Sequence, residues 1–230
     1  MIYTMKKTIT LCGFIMLLFI AVLYANKNYF KSNTQLANAR TEVKILIDKY
    51  ALQNGDLIFQ TSLSSQSKAI QLATKSKYSH CGLIYKEGND FFVFEAVQPV
   101  KRTPLDAWIA RGQAGKYVIK RLKNASGVIT PSKLTRMKQE GNKFIGKNYD
   151  LTFEWSDDKI YCSELIWKIY KRATGIEIGK LQKLSDFDLT NEAVKKKMQE
   201  RYCDKIPRGE IVISPDAIFD SELLTLVKAN

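Results

Sequence analysis

The sequence predicts one mixed α+β domain behind an N-terminal hydrophobic segment. Short apolar runs bounded by turn residues, such as Gly55–Phe59, Ser79–Tyr85 and Phe91–Val97, have the length of strands. Two longer stretches, 35–50 and 161–173, repeat their apolar residues at helical spacing. No internal repeat or low-complexity linker divides the 230 residues, a length that suits one domain with an appendage.

Residues 1–26 form the appendage. Lys6 and Lys7 precede eighteen uncharged, mostly apolar residues from Thr8 to Ala25, at the border between a signal peptide and a short membrane span. Leu23-Tyr24-Ala25 lacks the small residue a cleavage site wants at its first position, and no lipobox precedes Cys12. The segment predicts export to the cell envelope, on its periplasmic or extracytoplasmic face. Cleavage and retention as an anchor both stay open.

Residues 27–51 read as a stalk or a first packed helix. Leu36, Val43, Leu46, Ile47 and Tyr50 make one stripe over 35–50. The domain proper runs over 52–230 and starts with the strand Gly55–Phe59. Ser64 or Ser65 caps a helix running through Ala73. The runs Ser79–Tyr85 and Phe91–Val97 form a hairpin; a loop over Lys86–Asn89 sets Tyr85 against Asp90 and His80 against Glu95. Tyr117–Leu122 is a further strand. Thr130-Pro131 starts a helix that runs to about Gly146, with threonine as cap and proline in the first turn. In the helix over 161–173, Leu165, Ile166, Ile169, Tyr170 and Ala173 share a face, and Thr174-Gly175 ends it. A lysine-rich helix over Asn191–Arg201 and a strand over Glu210–Ile213 complete the order.

The formal charge is +13; the two lysines of residues 1–25 contribute two units, leaving +11 on the remainder. Such basicity suits an anionic membrane surface, an acidic wall polymer or a solvated lysine-rich surface. Export argues against nucleic acid. Besides Cys12, the cysteines are Cys81, Cys162 and Cys203, whose spacing fits neither a zinc ribbon nor a disulfide framework. A zinc site from His80, Cys81 and Cys162 lacks a ligand pair of useful spacing. The sequence therefore calls for neither metal nor cofactor, and in an oxidising compartment the odd count leaves a free thiol.

His80 is the chain's single histidine and opens a strand; Cys162 sits in the first turn of the clearest helix, on its core-facing stripe. Unpaired N–H groups and the dipole at a helix N-terminus favour a thiolate and can hold an oxyanion. An imidazole near that thiol accepts its proton, and Glu95 orients the imidazole. Plainer readings exist: a buried cysteine as a small hydrophobe, a satisfied histidine, a glutamate on an exposed face of an edge strand. Cys81 is a rival nucleophile, but strand neighbours point to opposite faces, which predicts a core residue on the far side of the sheet.

Taken together, Gly55-Asp56-Leu57-Ile58, Tyr78-Ser79-His80-Cys81-Gly82, Glu95-Ala96, Gly146-Lys147-Asn148-Tyr149-Asp150, Tyr161-Cys162-Ser163-Glu164-Leu165 and Ser214-Pro215-Asp216 resemble the YiiX-like permuted papain-type amidases. This is a circularly permuted branch of the NlpC/P60 superfamily, and the likeness spans about residues 52–222. It implies a papain-like α+β core in which a cysteine-bearing helix packs on an antiparallel sheet bearing the histidine. It also implies the order histidine, polar residue, cysteine, which His80, Glu95 and Cys162 follow. Cys81 stands where an aliphatic residue is expected. Tyr78, Tyr149 and Tyr161 neighbour the motif residues and are candidates for substrate contact.

Three functions follow. The first is a cysteine hydrolase cleaving an amide or peptide bond in an envelope substrate, with Cys162 as nucleophile, His80 as base and later acid, and Glu95 as orienter. The second is lipid acyl transfer or deacylation through the same thiol-acyl intermediate. The third is a membrane-tethered binding protein whose triad is structural.

Overall fold

The structure, a computed structural model, describes residue 24 and residues 31–230. The hydrophobic segment Thr8–Ala25 thus lies, Tyr24 excepted, outside the described residues. Among the described residues no helix is long and apolar enough to cross a membrane.

A helix over 31–50 (α1) comes first. Ala39 and Leu46 are its buried residues, with Val43 and Tyr50 packed beside them, whereas Ile47 is exposed. The packed stripe keeps Val43, Leu46 and Tyr50 of the predicted one, adds Ala39 and loses Ile47, and it seats α1 against the domain.

The centre is a six-stranded, wholly antiparallel sheet. Its strands are β1 (Leu57–Gln60), β2 (His80–Glu87), β3 (Asp90–Glu95), β4 (Lys101–Pro104), β5 (Val118–Leu122) and, from the C-terminus, a strand over Leu224–Ala229. The order across the sheet is β4, β3, β2, β1, β5 and the C-terminal strand. Alternation sorts the side chains between two cores. Leu57, Phe59, Cys81, Leu83, Tyr85 and Phe94 face one core; Ile58, Ile84, Val93 and Ile119 face the other, under α1.

The first core is covered by α5 (Pro131–Asn142) and α6 (Cys162–Thr174). Thr130 caps α5 by accepting from the Lys133 N–H, and α5 stops at Asn142, a turn short of the predicted Gly146. Helix α6 is buried nearly all round, and Gly175 ends it in the left-handed conformation at φ 82°. Its two charged buried residues, Glu164 and Lys168, pair at 2.7 Å, four residues apart. The second core is closed by α3 (Leu105–Arg111), through Leu105, Trp108 and Ile109. Helix α2 (Ser65–Thr74), capped by Ser64, packs against α7 (Glu192–Tyr202), capped by Asn191. Between them in sequence lie the short helix α4 (Ala125–Val128) and strand β6 (Gln182–Lys183). After α7 come β7 (Ile211–Val212), paired with β6, the helix α8 (Pro215–Phe219) and the C-terminal strand, β8.

The hairpin departs from its predicted register. Its turn is Gly88-Asn89, and Glu87 pairs with Asp90, so the loop is two residues and not four. Gly88 takes φ +60° at the first turn position, as tight hairpins with glycine there do. Continuing the ladder past Leu83–Phe94 places Glu95 opposite Gly82 and leaves His80 one diagonal step away. A shift of two still leaves His80 and Glu95 on a shared face; a shift of one would not.

Candidate active site

His80 opens β2 beside Gln60 of β1, and its Nε2 lies 2.6 Å from Oε2 of Glu95. Gly82, which faces Glu95, has no room for a side chain: a Cβ there would stand 2.2 Å from Val93 Cγ1 and 3.7 Å from Glu95 Cβ. Glu95 is wholly buried and collects three further donors. Thr103 Oγ1 donates to Oε1 at 2.6 Å; Trp108 Nε1 and Arg111 Nη2 donate to Oε2 at 2.9 and 2.5 Å. The Trp108 ring also lies nearly parallel to the imidazole, 5.9 Å between centroids. A buried carboxylate needs such a set. Burial would raise its pKa, but the His80 and Arg111 charges outweigh burial and hold Glu95 at about 2.

Cys162 begins α6, with its side chain turned to the sheet and almost fully buried. Tyr161 at the N-cap offers no side-chain acceptor, which leaves N–H groups of the first turn to favour negative charge. The Cys81 thiol and backbone N–H and the His80 imidazole are the neighbours whose influence on the thiol favours its charged form. The Cys81 thiol is the strongest of the influences that set the Cys162 pKa well below the ordinary thiol value; burial opposes it and His80 assists it. Burial and the neighbouring Cys162 push the Cys81 thiol up. Burial pulls His80 down, but Cys162 and Glu95 outweigh it and lift the imidazole to about 9. The pair accordingly favours thiolate and imidazolium. With Nε2 engaged by Glu95, Nδ1 is the ring nitrogen left for the thiol.

Cys81 is buried as predicted, but on the other face from the predicted one. It shares the first core with Cys162, whereas His80 points to the second. His80 is the first residue of β2, and from there it and Cys162 shift each other's proton affinity.

The three tyrosines part ways. Tyr149 receives a hydrogen bond from Gln66 Nε2 at 3.1 Å and lines one cavity together with Cys162, which joins burial in pushing the tyrosine pKa up. Tyr161 packs edge-on against Phe153 and accepts from the Ile213 N–H at 3.1 Å. Tyr78 departs from the expectation: it packs against Phe59 and Phe219 in the core and lines neither cavity beside the site.

Two cavities flank the pair, one lined by Cys162 and the other by His80. The first is almost wholly apolar and is lined by Cys162, Tyr161, Phe153, Leu184, Val194 and Met198, with Lys197 and Arg201 also contributing. The second is a groove past His80, lined by Ser62, Ser64, Gln66, Gln98 and Arg111 together with apolar residues. Tyr149 and Ile70 line both and divide them. Among the described residues no group of three or more His, Cys, Asp and Glu is placed to hold a metal ion.

Thr103, Trp108 and Arg111 were absent from the sequence-based site. A signal for the helix existed: Leu105, Trp108 and Ile109 recur at helical spacing directly after Pro104. Nothing local ties that helix to Glu95.

A family model described as the permuted papain-like amidase enzyme, YaeF/YiiX, C92 family, matches residues 51–228. The chain belongs to this family. It is 50% identical over 175 residues to the uncharacterized protein YiiX of Escherichia coli (strain K12), covering 76% of this chain and 85% of that protein. The crystal structure of the metalloprotein YiiX of Escherichia coli O157:H7 superimposes with a TM-score of 0.73 at 49% identity, over 77% of this chain and 97% of the other. Membership carries the permuted papain-like fold and, at the level of the family, cysteine-type amide hydrolysis.

Proposed function

We propose that the protein is a cysteine-dependent hydrolase of an amide or peptide bond, with Cys162 as nucleophile, His80 as base and acid, and Glu95 as orienter. The observation that carries this reading is a thiol at a helix N-terminus beside an imidazole whose other nitrogen is fixed by a buried carboxylate. The Cys162 thiolate attacks the carbonyl carbon, and the C=O electron pair moves onto oxygen. The Tyr149 hydroxyl and the open N–H groups at the start of α6 are donors for that oxyanion. The imidazolium gives its proton to the departing amine as the C–N bond breaks, leaving a thioester. Water then attacks the thioester, His80 takes one proton, and the acid leaves with the thiolate restored. No step uses a metal or cofactor.

The substrate is read as an envelope peptide, and the basic chain supports work at an anionic surface. A second reading, deacylation or acyl transfer on a lipid, is favoured by the apolar cavity beside Cys162, whose lining suits a hydrocarbon acyl group. Released peptide fragments support the first and released fatty acid the second.

The pH dependence of alkylation at each cysteine tests the chemistry common to both. A free thiol, pKa about 8.5, reacts slowly at about pH 6. Selective labelling of Cys162 there, abolished by His80→Ala, is expected. An ordinary titration of Cys162, with unchanged cell phenotype in Cys162→Ala, would instead favour a binding protein.

A further inference from the structure

The two cavities divide the two halves of a substrate, because the chemistry fixes which half enters which. The acyl carbon bonds to Cys162, so the acyl group lies in the cavity that Cys162 lines. The departing amine takes its proton from His80, so the amine half lies in the groove that His80 lines. This step rests on the reading of Cys162 and His80 proposed above.

The chemistry of the groove then describes the amine. Among the described residues, Arg111 is the single charged residue besides His80 that lines it, and no Asp or Glu does. Arg111 spends Nη2 on Glu95, yet its side chain is 42% exposed, so the rest of the fork faces the groove. Glu95 itself is sealed beneath, with His80, Thr103 and Trp108 as its other donors, and presents no negative charge to a ligand. The hydroxyls of Ser62 and Ser64 and the amides of Gln66 and Gln98 add neutral polar groups. A guanidinium fork with no competing acid selects a carboxylate.

We infer that the groove is a leaving-group site for an amine bearing a carboxylate, so that the substrate class is an apolar acyl group joined to an amino acid or peptide, with Arg111 as the specificity residue. The free carboxylate lies close to the scissile nitrogen, as in an N-acyl-α-amino acid. A neutral amino alcohol lacks the charge to engage Arg111, and a second amine is repelled by it.

The test uses the full-length chain in detergent and three decanoyl amides, of glycine, of glycinamide and of ethylenediamine, with released decanoate as the readout. The glycine conjugate should exceed the glycinamide conjugate by about tenfold in kcat/KM, the size of one charge-assisted hydrogen bond of about 1.4 kcal/mol. The ethylenediamine conjugate should be slowest. Arg111→Gln also disturbs Glu95 and lowers every rate, so the ratio between conjugates is what counts; it should fall towards one, and Arg111→Lys should restore part of it. Ser64→Asp supplies an independent variant. Aspartate keeps the N-cap bond that Ser64 makes to the Ser67 N–H, while placing a negative charge on the groove. It too should shrink the preference. Hydrolysis of all three conjugates at one rate, or a preference unmoved in both Arg111→Gln and Ser64→Asp, overturns the inference and leaves the hydrolase standing. Failure to hydrolyse any of them, with no fast labelling of Cys162, overturns both.

Discussion

Glu95 and His80 meet on a diagonal of the β2–β3 ladder, joined at 2.6 Å across the gap left by Gly82. Gly82, beside the pair, has no space for a side chain. At Gly82 even one methyl group would press on Val93 Cγ1 at 2.2 Å and the Phe94 carbonyl at 3.2 Å. Gly82→Ala should cost about 1–3 kcal/mol, as overpacking in a core does. A denaturant midpoint measures it, and slower Cys162 alkylation at low pH should accompany the loss as β3 is pushed away.

Replacing Glu95 by glutamine keeps the shape and removes the charge. Oε2 now accepts from His80, Trp108 and Arg111, three donors an amide cannot serve alike. The imidazole pKa should drop, and kcat should fall by about 10²- to 10⁴-fold, the usual span for general acid–base catalysis. Circular dichroism and the midpoint of unfolding separate this from simple misfolding.

Cys81→Ala removes the thiol that does most to lower the Cys162 pKa. The titration of Cys162 alkylation should move to higher pH, with His80 still in place. A titration that does not move would show that His80 and the helix terminus suffice.

The pH profile follows from His80. Burial lowers its affinity for a proton, but Cys162 and Glu95 raise it further, taking the pKa from 6.5 to about 9. The folded protein holds this proton more tightly than the unfolded chain does. The associated stability is therefore complete below 6.5 and lost as pH rises through about 9. Activity should decline over the same range as the acid for the leaving amine is lost. Initial rates and Tm measured from about pH 6 to about pH 10 should fall together.

Tyr149→Phe deletes one oxyanion donor. A fall of about 10²-fold in kcat with little change in KM is expected. An equal rise in KM would point to ground-state binding of substrate.

What the sequence made legible follows from which forces are local. The helix over 161–173 was readable because its apolar spacing and Gly175 are written in consecutive residues, and α6 ends where they say. That His80 and Glu95 share a face was readable because alternation survives a register error of two; which core that face meets was not. The register was not, since the Gly88-Asn89 turn lies within a polar run that suits several loop lengths. Strand β4, Lys-Arg-Thr-Pro, has no apolar alternation, being an edge strand with a largely solvated outer side. β8 is another edge strand with Leu224 its buried anchor. Arg111 and Trp108 joined the site only through the fold of α3 over the sheet, a contact no local pattern encodes. The partnership of Cys81 with Cys162 was hidden for a related reason: alternation assigns faces, but the reach of a residue at a strand end ignores them.

That last geometry makes the sulfur chemistry a product of folding. In the extended chain Cys162 lies eighty-two positions from His80 and eighty-one from Cys81, and it is an ordinary thiol. Only when α6 docks on β2 do the imidazole and the second sulfur arrive, and the nucleophile comes into being with the tertiary structure. A nascent or misfolded copy thus reacts only as slowly as a free thiol at about pH 6, and fast labelling of one atom there counts the molecules that have reached the native state.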